Sequence, residues 1–326
     1  MQKKKVYVTR KLPKEALDKI NNEFEMEVNP HDRALTRDEL ENAVKDIDGL
    51  LCLLTDEIDE ELLKINPYLQ VIANYAVGYN NIDIDACTKN NIKVSNTPGV
   101  LTDTTADFAW SLLMSTARRV VEADRFARAG KFKGWGPMMF LGGDIYEKKL
   151  GLIGIGRIGQ AVAKRAAGFD MDVYYYDVNK LDKETEKELN IEYKNFEDLL
   201  KESDFVSIHV PLLPPTKHLI DKEELAMMKE TAYLINTARG PIINESELAT
   251  ALKKGEIAGA GLDVFEEEPE IYSELVELDN TVLTPHIASA SIETRTKMAN
   301  MAAENLIAGL KGEQMPNLIN EVLVSK

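Results

Sequence analysis

Leu150-Gly151-Leu152-Ile153-Gly154-Ile155-Gly156-Arg157-Ile158-Gly159 is the stretch on which the fold turns. A short β-rich run enters a G-x-G-x-x-G turn, and a helical pattern follows with Ile158, Val162 and Ala166 on its apolar face. In that order each glycine has a duty: Gly154 permits a tight turn, Gly156 lets a pyrophosphate approach the backbone, and Gly159 lets helix and strand pack closely. The first helical turn, with Arg157 and Ile158, offers free N–H groups to an anion. A lone G-x-G-x-x-G also fits an ordinary loop or a kinase-like glycine turn; the strand before it and the helix after it favour a dinucleotide site. The next run, Val173-Tyr174-Tyr175-Tyr176, ends at Asp177, 18 residues beyond Gly159. A carboxylate there can accept hydrogen bonds from the adenosine ribose hydroxyls and repels a 2′-phosphate, although a strand-ending Asp is often only a turn former. The pattern points to NAD(H), with NADP(H) as a minor cofactor. Lys180 softens that discrimination, but no Arg or Ser stands at the phosphate-reading position.

Outward from this turn, short β-rich runs alternate with helical segments in two series, which favours parallel sheets wrapped by helices. The second series predicts six strands: Leu150 to Ile153, Val173 to Tyr176, Phe205 to Val210, Tyr233 to Asn236, Gly259 to Val264 and Val282 to Thr284. The first predicts Val6 to Thr9, Gly49 to Leu54, Val71 to Tyr75 and Lys93 to Ser95, before Asn96-Thr97-Pro98-Gly99 breaks the chain. Thr102 or Asp103 can cap a crossover helix running to about Arg118, and a helical pattern from Ser291 to Leu310 is expected to return to the first domain. A length of 326 residues suits two such units.

Composition narrows the partners. With 44% apolar and 29% charged residues the chain reads as globular. Its net charge of −16 gains nothing from nucleic acid, and it would also repel an anionic substrate, so any such substrate needs locally concentrated positive charge. No stretch reaches membrane-spanning length, and the basic start at Lys3 to Lys5 precedes too short an apolar run for a signal peptide, so no membrane partner and a cytoplasmic location are expected. Cys52 and Cys87 lack metal-ligand spacing; they read as buried free thiols, and no metal is expected.

Near the ends of three successive strands stand Asn236-Thr237-Ala238-Arg239-Gly240-Pro241, then Gly261 to Pro269 with Glu266-Glu267-Glu268, then Leu283-Thr284-Pro285-His286. Ligands of open α/β sheets bind beyond the carboxyl ends of strands, so these segments share a crevice. A hydride reaching a keto carbon leaves charge on oxygen, and His286 suits the proton donor. Glu268 can fix its tautomer and favour its charged form. Arg239 can grip a carboxylate bidentately and supplies the required local cation. Singly, each has a plainer explanation: a loop imidazole, a surface ion pair, a solvated acidic turn. His31, His209 and His218 have no such setting and read as structural or surface residues.

These segments, with Asn74-Tyr75-Ala76-Val77-Gly78-Tyr79-Asn80-Asn81-Ile82-Asp83 and Thr97 to Asp107, resemble the D-isomer-specific 2-hydroxyacid dehydrogenase family over nearly the whole chain, most closely its glyoxylate and hydroxypyruvate reductase branch. The resemblance implies two doubly wound parallel-sheet domains: a Rossmann NAD-binding domain, residues 100–286, inserted into a flavodoxin-like substrate domain, residues 1–99 and 287–326. It implies that Arg239 binds substrate, His286 is the acid/base and Glu268 its partner. Leu53, Val77, Gly78 and Trp135 would contact substrate, Val77 and Gly78 through backbone N–H groups. Thr105, Pro211, Thr237, Ala238, Asp263 and Ala288 would line the cofactor.

Differences from sister branches narrow the substrate. Formate dehydrogenases carry Gln where Glu268 stands. Phosphoglycerate dehydrogenases usually carry Arg in the segment matching Leu51 to Asp56, and D-lactate dehydrogenases place aromatics soon after the catalytic His. A small 2-keto acid, glyoxylate or hydroxypyruvate, is therefore expected, reduced to the 2-hydroxy acid. Some members of this fold are NAD-sensing corepressors that keep all three catalytic residues, a reading lowered by the acidic balance. The apolar segment Phe132 to Leu141 has poor helical spacing. In related reductases it forms an arm around a second subunit, with the Trp matching Trp135 reaching the partner's substrate pocket, so a homodimer is expected, against the alternative of an intrachain core Trp.

Overall fold

The computed structural model describes residues 3–320. Within them the chain forms two compact units, one built from the chain up to Leu101 and from Ala290 onward, the other Thr102–Ser289.

The first unit is a parallel sheet of β1 (Lys5–Val8), β2 (Glu25–Val28), β3 (Gly49–Cys52), β4 (Val71–Asn74) and β5 (Lys93–Ser95), in the order β2-β1-β3-β4-β5. That is the flavodoxin-like order. β3 and β4 are buried at every residue, as expected of strands covered on both faces. Helix Ile292–Lys311, capped by the Ser291 hydroxyl, packs on β3, β4 and helix Lys14–Glu23. Five strands stand where the sequence predicts four. The extra one, β2, reads Glu25-Met26-Glu27-Val28 and runs along the sheet edge in register with β1, with its glutamates turned outward. Two apolar residues give little signal, and charge on an edge strand discourages unwanted pairing.

The second unit holds β6 (Lys149–Ile153), β7 (Asp172–Tyr176), β8 (Ile191–Tyr193), β9 (Phe205–Ile208), β10 (Tyr233–Asn236), β11 (Gly259–Leu262) and β12 (Thr281–Leu283). The sheet is parallel throughout, in the order β12-β11-β10-β9-β6-β7-β8. This is the Rossmann order with one added strand, and it has seven strands rather than the predicted six. The strand added to that order is β12 at one edge; the strand the sequence does not predict is β8 at the other, a three-residue edge strand, Ile191-Glu192-Tyr193, too short for an alternating pattern to mark it. Helix Thr102–Ala117 covers one face, packing on helix Arg157–Ala166, β10 and β11. Its Trp110 is the buried tryptophan, stacked on Phe169 and donating to the Val162 carbonyl at 3.1 Å.

Strand order reverses between β6 and β9, and ligands of such sheets bind at that point, beyond the carboxyl ends of the strands. Gly154, Asp177, His209, Thr237, Asp263 and Thr284 each follow one of these strands within two residues. Cys52 and Cys87 are free and buried. Among the described residues no helix is long and apolar enough to cross a membrane, and no cluster of metal ligands occurs.

Candidate active site

The glycine turn is shaped by close approach. Gly154 has φ +95°, and a Cβ there would stand 2.8 Å from the His209 carbonyl carbon and the Val210 nitrogen. A Cβ on Gly159 would overlap the Gly154 carbonyl oxygen, whereas nothing lies within 4 Å of one on Gly156. The turn is thus closed where it meets the sheet and open where an anion would approach. Gly156 caps helix Arg157–Ala166 without any side-chain hydrogen bond, so no side chain of the cap fills the anion's place. Asp177 is tied to the same turn: Oδ2 accepts the Ile155 N–H at 2.9 Å and Oδ1 accepts the Asn179 N–H at 2.9 Å.

Beyond β10, the Thr237 hydroxyl is buried and has no partner. Ala238 N–H donates to Asn236 Oδ1. Thr105 is buried in the first helix of this unit, and Pro211 is exposed, its carbonyl accepting the Thr216 hydroxyl at 2.7 Å. An open cradle at Gly156, an unsatisfied hydroxyl and a strand-ending carboxylate fit a nicotinamide dinucleotide.

Arg239, Glu268 and His286 come from the loops after β10, β11 and β12. His286 Nδ1 is 2.9 Å from Glu268 Oε2, and Glu268 Oε1 accepts the Phe265 N–H at 3.1 Å. Burial alone would push the Glu268 carboxyl up. The His286 hydrogen bond and charge, the Phe265 N–H and the Arg239 charge outweigh it and hold the group below the ordinary carboxylate range. Burial lowers the Arg239 pKa, and the Glu268 charge opposes that shift. One of its guanidinium nitrogens donates to the Ala238 carbonyl at 2.7 Å.

His286 has φ +53°, a left-handed conformation costly for a non-glycine residue. Asp263 holds it there. The Asp263 carbonyl accepts the His286 N–H at 2.9 Å, and its fully buried carboxylate accepts the Ile287 N–H, the Ala288 N–H and the Thr284 hydroxyl at 2.7 to 2.8 Å. Burial raises the Asp263 pKa, and those three donors together with His286 oppose the rise.

In the first unit, Leu53, Val77 and Gly78 lie on the loops after β3 and β4. One asparagine, Asn81, connects those loops, and another, Asn74, braces the second of them. Asn81 donates to the carbonyls of Leu53 and Asp56 at 3.1 and 3.0 Å, and Asn74 donates to the Gly78 carbonyl at 2.9 Å. Trp135 is 85% exposed, which excludes the intrachain core alternative.

A family model described as "D-isomer specific 2-hydroxyacid dehydrogenase, NAD binding domain" matches residues 110–288. The glyoxylate reductase of Korarchaeum cryptofilum is 53% identical over 324 residues, covering 99% of this chain and 97% of the relative. The chain belongs to the D-isomer specific 2-hydroxyacid dehydrogenase family. Solved structures agree. A Thermus thermophilus protein is 43% identical with a TM-score of 0.90, over 97% of this chain and 100% of that one. An NADPH-dependent glyoxylate/hydroxypyruvate reductase from Sinorhizobium meliloti, in complex with NADP and malonate, is 30% identical with a TM-score of 0.85, over 98% and 97%.

As a 2-hydroxyacid dehydrogenase, the chain is an oxidoreductase that takes a nicotinamide cofactor and a small acid. Some residues of this dehydrogenase's site carry no signal in the sequence. Glu245 is buried and accepts the Glu266 N–H at 2.8 Å, while Glu266, expected only as part of a solvated acidic turn, accepts the Glu245 N–H at 2.9 Å and pairs with His218 at 3.2 Å. A Cβ on Gly240 would overlap the Phe265 carbonyl, so the Arg239 loop presses directly on the loop that carries Glu268. Local spacing could not signal these contacts, because their partners lie 21 or more residues apart.

Proposed function

We propose that this chain reduces glyoxylate, and the related hydroxypyruvate, to glycolate and D-glycerate with NADH. The observation that carries the proposal is the 2.9 Å contact of His286 Nδ1 with Glu268 Oε2, flanked by Arg239 on the next loop. Bound nicotinamide supplies the hydride. Arg239 would hold the substrate carboxylate with two parallel N–H donors and polarise the neighbouring keto group. As charge builds on the keto oxygen, His286 delivers the Nε2 proton to it and is left neutral, with Nδ1–H still donated to Glu268. Oxidation of the hydroxy acid reverses that transfer.

Gly154, Gly156, Gly159, Arg157 and Ile158 would hold the pyrophosphate, Asp177 the ribose, and Thr105, Pro211, Thr237, Ala238 and Ala288 would line the rest of the cofactor site. Asp263 serves this site by bracing the His286 loop. Leu53 and the N–H groups of Val77 and Gly78 would meet the substrate, on a substrate domain formed from both ends of the chain. NADH is favoured over NADPH by the Asp177 carboxylate, which a 2′-phosphate would face.

A homodimer is part of the proposal. Phe132, Trp135, Met138 and Leu141 are each more than half exposed in the single chain, an apolar run that a second copy would cover. We further propose that the protein works in the cytoplasm. The test is a panel of keto acids assayed with both cofactors on the purified chain. NADH consumption with glyoxylate is expected; no turnover with any keto acid would leave only a cofactor-binding role.

A further inference from the structure

The loop after Asp177 is fixed at both ends. Asp177 Oδ1 accepts the Asn179 N–H at 2.9 Å, and the Tyr175 hydroxyl accepts the Leu181 N–H at 3.0 Å while donating to Glu186 Oε1 at 2.7 Å. Lys180 therefore leaves a backbone whose course is set on either side. Its ammonium lies 3.6 Å from the centroid of the Tyr193 ring. Tyr193 is the last residue of β8, paired in register with Tyr175, and its ring makes an edge contact with Tyr175 at 5.5 Å and a tilted one with Tyr176 at 6.4 Å. The platform under the ammonium is thus itself packed in place. Glu186 adds to the pull: the hydrogen bonds from Lys183 and Tyr175, and then the charges of Lys183 and Lys180, hold its carboxyl below the ordinary range.

Lys180 is the cation nearest in sequence to Asp177, and a lysine there could answer the charge of a ribose 2′-phosphate. We propose that Tyr193 determines cofactor choice at one remove, by seating the Lys180 ammonium on its ring and so keeping it from a 2′-phosphate beside Asp177. This rests on the NADH reading above and adds a second layer to it. Asp177 repels the extra phosphate, and Tyr193 occupies a neighbouring side chain that would welcome it. Tyr193 touches no cofactor itself and acts only through Lys180.

The test uses the full chain and binding by calorimetry, with AMP and adenosine 2′,5′-bisphosphate as probes. The unmodified protein should bind AMP better; equal or tighter binding of the bisphosphate would overturn the NADH reading itself. With that order established, Tyr193→Leu should tighten bisphosphate binding about two- to fivefold, the scale of an exposed cation–π contact, and leave AMP unchanged. Tyr193→Phe keeps a ring face and should behave as the unmodified protein. Adding Lys180→Met to Tyr193→Leu should erase the gain. A Tyr193→Leu protein that binds AMP normally but gains nothing for the bisphosphate, or a gain that survives loss of Lys180, overturns the role of Tyr193. Lys180→Met alone decides the question even if the Tyr193 variants fail to fold. The seated ammonium should contribute nothing, so a weakening of bisphosphate binding beyond twofold would overturn the proposal, and an unchanged ratio of the two affinities would support it.

Discussion

The carboxylates of Glu245 and Glu266 are crossed, each accepting the backbone N–H of the other at 2.8 and 2.9 Å. This reciprocal bridge joins the start of helix Glu245–Lys254 to the turn that ends in Glu268. Glu245→Ala leaves the Glu266 N–H without its acceptor, and denaturant unfolding should show a loss of about 1–3 kcal/mol. The turnover number should fall while the KM for cofactor stays level. A stability change under about 0.5 kcal/mol, the range of an ordinary surface substitution, would show that the bridge holds nothing.

Glu268 should keep its charge at a pH where an ordinary carboxylate begins to lose it. Its folded pKa is depressed, so what the carboxylate contributes to the pair is fully present above the ordinary value of about 4.3 and is lost as pH falls through the lower folded value. Glu268→Gln removes that charge, and the alkaline limb of keto-acid reduction should move to lower pH with little change in NADH affinity. The measurement is the reduction profile under conditions where a deuteride isotope effect shows chemistry to be limiting. An unmoved limb would remove Glu268 from proton transfer.

Arg239→Lys should cost about 10²- to 10³-fold in kcat/KM for glyoxylate, because a point charge cannot reproduce two parallel donors on carboxylate and carbonyl. Loss confined to a modest rise in KM would mean that the guanidinium only attracts substrate.

His209 predicts a pH effect on stability. Burial takes its imidazole down to about 4, with Nε2 held by Ser207 at 2.9 Å. The unfolded chain binds this proton near pH 6.5, so between about 6.5 and 4 it takes up more protons than the native state, and stability falls as pH falls through that window. The residue keeps part of its surface exposed to solvent, which limits the effect to about 1–2 kcal/mol. His209→Asn should flatten that part of the melting-temperature profile, and an identical slope in both proteins would assign it to other groups.

Much of the candidate nucleotide site could be read from the sequence because its parts are local. Gly154, Gly156 and Gly159 sit within six residues, and Asp177 ends the next strand. The three candidate catalytic residues, Arg239, Glu268 and His286, were legible as strand-end polar residues in succession. β2 and β8 were not, since short edge strands need few apolar residues. Nor were the bracing contacts. Glu245, Tyr193 and Asn81 acquire partners only once the sheets bring distant loops together, and no periodicity records that.

Gly240→Ala tests the most intimate of those contacts. The added methyl would overlap the Phe265 carbonyl, a backbone atom with no rotamer to change, and overpacking of this kind costs about 1–3 kcal/mol or more. Calorimetric melting should show the loss, accompanied by reduced turnover as the Arg239 and Glu268 loops are forced apart. Full activity at an unchanged melting temperature would contradict the close packing.

Asp263 bears on how portable the proposed catalytic pair is. The left-handed bend at His286 is imposed from a neighbouring strand end, by a carboxylate that accepts from Thr284, Ile287 and Ala288. An Asn in its place would turn an amide donor toward donors. A designer who grafted Glu268 and His286 alone onto another parallel sheet would therefore transplant an imidazole with no instruction for its backbone. The graft would have to include Asp263 and Thr284, making the smallest transferable unit four residues from two strand ends.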